Sequence, residues 1–165
     1  LKDIVNELAI GDFVAFSYTP TDTVNEIRKT PDVAIKDLNK IFEIVPNKKI
    51  GFFEISWSTS NFVQGDSMGQ TIFVEKLFNF YKDNESSIEF LTWYRYTDQE
   101  ANTCVTKQQK IGDQIITVGG GSSMGTSEHV IERLNNYNCE SGFVDVNQNY
   151  KFGWNEFKTQ IQMLN

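Results

Sequence analysis

The residue around which any chemistry in this chain has to be argued is Glu54. It stands in GFFEISWSTS, an acid inside an apolar run that gives way to Trp57 among small hydroxyl residues. A carboxylate buried without a partner costs several kcal/mol, so it is tolerated where it is paired or where a site needs it. Two other apolar runs end in similar company, the first in Ser17, Tyr18 and Pro20, the last in Trp93, Tyr94, Arg95 and Asp98. An acid, a tyrosine hydroxyl and indole platforms at neighbouring strand ends suit a sugar site. There carboxylates serve as acid, base and nucleophile, and apolar sugar faces stack on tryptophan. The competing reading makes Glu54 a structural acid paired with Arg95 or a lysine, and the aromatic residues core.

Weaker motifs point elsewhere. DVNQNYKFGWNE, residues 145–156, places Asp145, Asn147, Asn149 and Glu156 at ligand positions of a calcium loop. Tyr150 replaces the glycine that such a loop needs for its sharp turn, so a turn before a terminal helix is the plainer expectation. GGGSSMG, residues 119–125, precedes a helix but lacks the lysine of a phosphate loop and reads as a loop. His129, the single histidine, has no Cys or His neighbour at ligand spacing. No metal site and no cofactor is expected.

Three strands must position these groups. Leu1, Ile4, Val5 and Leu8 mark one helical face, ended by Gly11. Phe13–Phe16 then forms an apolar run up to Pro20. Thr30 and Pro31 supply a cap and first turn for a helix with the stripe Val33 or Ala34, Leu38, Ile41, Phe42 and Val45, stopped at Pro46. Ile50–Ser56 is a second strand. Asp66 or Ser67 caps the next helix, Ser67 with Gln70 fitting a capping box, and IEFLTWYRY, residues 88–96, is a third strand. Helices close the chain from about Ser127 to Tyr137 and from about Trp154 to Leu164. The alternation predicts parallel strands buried on both faces. Three such strands leave both sheet edges to be covered, so the chain looks like part of a larger fold.

Composition bounds the rest. At 165 residues and 39% hydrophobic, with thirteen Phe, the chain can bury one substantial core. Its net charge of −7 and pI near 4.7 argue against nucleic acid or an anionic membrane as partner. No apolar run approaches the roughly 20 residues that span a bilayer, and the amphipathic opening is not a signal peptide. The absence of an initiator methionine suggests a trimmed or internal segment. Cys104 and Cys139 allow one disulfide, with two free thiols equally open on count alone.

The ordered set SYTP, FFEISW and FLTWYRYTD, with the closing GFVD and KFGWNEFK, resembles the last three strands and tail of the (β/α)8-barrel retaining glycoside hydrolases, the endo-galactanase and cellulase-like group. The resemblance spans nearly the whole chain except roughly residues 100–126. It implies that residues 1–165 are the C-terminal portion of a single catalytic barrel domain, strands six to eight plus closing helices. Glu54 would be the nucleophile, and Tyr18, Trp57, Trp93 and Asp98 would bind substrate. The partners implied are a carbohydrate substrate and the N-terminal half of the barrel, in the same protein or a separate chain. The location implied is secreted or cell surface, where the two cysteines would pair. Ser56 departs from the family's glycine, and the acid/base glutamate lies outside this sequence, so the chain alone should not turn over substrate. The second expectation is a non-catalytic carbohydrate-binding or assembly module with a barrel-derived fold.

Overall fold

The computed structural model describes residues 2–45, 47–105, 109–111, 114–116 and 128–164. Pro46 and the glycine-rich 119–125 stretch, both singled out in the sequence, lie outside the described residues. So do the side chains of Leu1, Ile4 and Leu8.

Helix α1 (Lys2–Leu8) leads into strand β1 (Phe13–Tyr18), helix α2 (Pro31–Ile44), strand β2 (Lys49–Ile55), helix α3 (Ser67–Asn84) and strand β3 (Ile88–Trp93). A short antiparallel pair follows, β4 (Gln109–Ile111) with β5 (Gln114–Ile116), then helices α4 (Glu128–Cys139) and α5 (Phe152–Leu164). The three long strands run parallel in the order β1-β2-β3.

Local chemistry explains where the helices begin. Thr30 is extended and its side chain accepts from the Val33 amide at 3.4 Å, with Pro31 in the first turn where its missing N–H costs nothing. Asp66 caps α3 by accepting from the Gly69 amide at 2.7 Å. The Ser67–Gln70 box is therefore not used. Gln70 turns inward, fully buried, and donates to the carbonyls of Trp57 and Gly142 at 2.9 and 3.1 Å.

The core lies on one side of the sheet. Ile50, Phe52 and Ile55 of β2 pack with Ala34 and Leu38 of α2 and Phe73, Leu77 and Phe80 of α3. Phe80 contacts both Phe52 and Phe42, ring centroids 5.6 and 5.8 Å apart. Helix α5 packs on α3 through Phe78 and Phe157, 5.3 Å between centroids. Tyr137 of α4, 1% exposed, donates to the Ser56 carbonyl at 2.9 Å and so fastens α4 over the end of β2.

Three expectations are corrected here. The fold is an open three-stranded parallel sheet with flanking helices, not a segment of a closed (β/α)8 barrel, and the resemblance to barrel glycoside hydrolases falls with it. The strands are also not all buried on both faces: β2 is over Ile50–Phe52, but β1 is not. Along β1 exposed and half-buried residues alternate strictly, the pattern of a strand with one covered side. The third strand ends at Trp93 rather than residue 96, because the chain leaves the sheet there for a turn.

Candidate functional site

The side of the sheet away from the helices carries the unassigned chemistry. Phe13, Ala15 and Ser17 of β1 point there, while Val14, Phe16 and Tyr18 join the core. Opposite Ala15 lies Gly51, over which the Phe90 ring of β3 is laid. A Cβ on Gly51 would stand 2.5 Å from Phe90 Cζ, so glycine makes room for that ring. Phe13 meets Phe90 edge to face at 5.5 Å.

A bulge re-aims the far end of β2. Phe16 pairs with Phe52 and Ser17 with Glu54, so Phe53 is the extra residue. Phe52 and Ile55 are both fully buried, and the insertion turns Phe53 and Glu54 together toward the uncovered side. Phe53 is 58% exposed and Phe13 43%. Ser17 Oγ donates to Glu54 Oε2 at 3.5 Å, the one hydrogen bond to that carboxylate among the described residues. Thr92 Oγ1 donates to the Phe52 and Phe53 carbonyls and braces the bulge from β3.

The other residues expected at a sugar site are engaged in structure. The Tyr18 hydroxyl donates to Asp37 at 3.3 Å rather than to Glu54, and burial, then the Asp37 charge, pushes its phenol well above the usual range. Trp57 is buried against Phe73, centroids 5.2 Å apart. Trp93 stacks on Phe143 at 4.5 Å and donates Nε1 to the Ser141 carbonyl at 2.9 Å. Asp98 accepts from the Gly142 amide at 2.7 Å and pairs with Lys151 at 2.5 Å, both side chains at most 10% exposed. Burial holds the Asp98 carboxyl above its usual range against the pull of Lys151 and the Gly142 amide. Lys151 also donates to Thr59 Oγ1 at 2.7 Å and the Glu140 carbonyl at 3.2 Å, joining the segments after β2 and β3 to the end of α4. Arg95, offered in sequence as a partner for Glu54, instead lies over the Tyr94 ring and donates to its hydroxyl at 2.9 Å.

The calcium-like segment closes on itself. Asp145 accepts from the amides of Asn147 and Asn149 at 2.8 Å each and from the Asn149 side chain at 3.0 Å. Those Asn149 and backbone bonds hold its carboxyl below the usual range. Among the described residues no cluster of three or more His, Cys, Asp or Glu is placed to hold a metal. His129 sits exposed at the start of α4, 3.9 Å from Glu132.

The nucleophile reading is corrected accordingly. A retaining hydrolase needs a second carboxylate about 5–5.5 Å from the first at a barrel mouth. Here there is no closed barrel and no catalytic cluster around Glu54 among the described residues. The assignments as hydrolase, as glycosidase of polysaccharide degradation, and as a carbohydrate-binding or assembly module derived from a barrel all rested on that scaffold. The sequence reading also missed the residues that make the uncovered face, Phe13, Ala15, Phe53, Phe90 and Thr92. Part of the signal was present in the period-two alternation of FVAFSY, with Val14, Phe16 and Tyr18 inward and Phe13, Ala15 and Ser17 outward.

Comparison with protein families, curated proteins and solved structures finds no match for the chain.

Proposed function

We propose that this chain is a protein-docking unit whose contact surface is the uncovered face of its parallel sheet. One observation carries the reading: phenylalanines at positions 13 and 53 stand exposed on a parallel sheet that, among the described residues, is covered by helices on the other side only. Parallel sheets are otherwise found with both faces covered. Large apolar side chains exposed together on one sheet face mark an interaction site. Ala15 and Ser17 keep the β1 side of the face low, so a partner can approach the backbone there, while the Phe90 ring covers Gly51.

The Cys104–Cys139 disulfide supports placement in an oxidising compartment, since such bonds are rare where thiols are kept reduced. Export to the cell surface or beyond is proposed on that ground alone. No helix among the described residues is long and apolar enough to cross a membrane.

The test is a photoreactive side chain installed at Ala15, on the face, and separately at Lys36, exposed on α2. Docking through the face predicts cross-links to another polypeptide from position 15, lost with Phe53→Asp, and none from position 36. Equal cross-linking from both positions, or none from 15, removes the reading. Soluble polysaccharide fragments, the partner class implied by the resemblance, form a parallel arm. Their displacement of the position-15 cross-link would replace a protein partner with a glycan.

A further inference from the structure

The docking reading leaves open what kind of structure a partner presents, and the outer edge of β3 answers it. Among the described residues β3 pairs with β2 alone. In a parallel ladder alternate residues direct their N–H and C=O groups to opposite neighbours, so half of the β3 backbone groups point away from β2. Directly beside that edge is a cavity of about 330 Å³ between β3, α3 and α5, lined by Leu77, Phe78, Leu91, Trp93, Phe157 and Ile161 among others. Its walls are mainly apolar and aromatic side chains, Phe90 of the outer face among them.

The two features describe one occupant. Unpaired edge amides and carbonyls in register are matched only by another extended backbone. A strand laid along β3 sends every second side chain toward the helices, where the cavity lies, and the others toward the uncovered face beside Phe90. The chain carries a net charge of −7, and the exposed acid on β3, Glu89, is paired with Lys49 of β2 at 3.0 Å. We infer that the partner contributes an extended strand to the edge of β3, with an aliphatic side chain seated in the cavity and lysine or arginine flanking it. This inference rests on the docking reading and names the partner's chemistry.

The experiment uses amide hydrogen exchange of the whole chain, with a short synthetic peptide of alternating valine and threonine flanked by lysines as probe. The peptide should slow exchange of the β3 amides by about tenfold and shift Trp93 fluorescence. The same peptide with a central proline, which lacks the ladder N–H, should do neither. Ile161→Glu places a charge at the cavity wall and should abolish the effect while amides of Phe52 and Val74 stay protected, showing that the fold is intact. Absence of slowing at β3, or slowing indifferent to the proline or to Ile161→Glu, overturns the inference. Protection of β3 that grows with protein concentration in the absence of peptide overturns it in favour of a second copy. Phe53→Asp separates the two readings. Peptide protection that survives a failed position-15 cross-link leaves the strand standing without the face, and the converse leaves the face without the strand.

Discussion

At the scale of single residues the chain uses its acids for structure. Asp98 and Lys151 form a pair that is nearly dry, and Lys151 holds two further segments, through Thr59 and Glu140. Removing one partner of such a pair leaves a buried charge without its counter-ion, so Lys151→Ala should destabilise the fold by about 3–5 kcal/mol in denaturant unfolding. Joint replacement, Asp98→Asn with Lys151→Met, should cost clearly less. A double loss equal to the sum of the two single losses would mean that the pair is not coupled. Asp145 gives the pH prediction. Its folded carboxyl titrates below the ordinary value of 3.8 because Asn149 and the loop amides hydrogen-bond the charged form. A lowered folded value means that the stabilisation is present above 3.8 and is lost as pH falls through the folded value. The Asn147 and Asn149 amide signals should therefore stay in place down to that point and shift only below it. Movement nearer neutrality would deny the hydrogen-bonded loop. Glu54 is the contrasting case. Its residue type and apolar neighbours suggested an active acid, but nothing in sequence announced the bulge that turns it, with Phe53, to the open side.

At the scale of elements much was legible, and for local reasons. Thr30-Pro31 and Asp66 start helices because their side chains and missing donors solve the problem of the unpaired first turn, which depends on a few consecutive residues. The parallel pairing followed from strands separated by helices. What could not be read was how closely elements approach. Gly153 sits in the first turn of α5, where a Cβ would meet Gln70 Oε1 at 2.6 Å and Cγ at 3.0 Å. Gln70 cannot swing aside, because it is fully buried and bound to two carbonyls. Gly153→Val should cost about 1–3 kcal/mol by overpacking the α3–α5 contact. A neutral result by thermal unfolding would show that α5 docks more loosely than these contacts indicate.

At the scale of the whole molecule the sequence misled through its strand ends. SYTP, FFEISW and FLTWYRYTD line up as barrel strands do, but a motif order cannot report whether a sheet closes or how many strands it has. The open sheet follows from pairing and burial, which are properties of the fold rather than of the motifs. The tail is tied in by Cys104–Cys139, whose Cα atoms lie 5.4 Å apart across a separation of 35 residues. Closing a loop of that length restricts the unfolded chain, and Cys139→Ser should lower stability by about 3–4 kcal/mol under non-reducing conditions, with little further loss on adding reductant. The central claim is that the sheet has one covered face and one bare one. A soluble paramagnetic probe tests it most directly, through attenuation of phenylalanine ring signals in the free chain. Phe53, at 58% exposure, should be strongly attenuated together with Phe13, while Phe52 and Phe73, at 0%, should be spared. Protection of Phe53 equal to that of Phe52 would mean that the face is covered within the chain itself, and the docking surface would not exist.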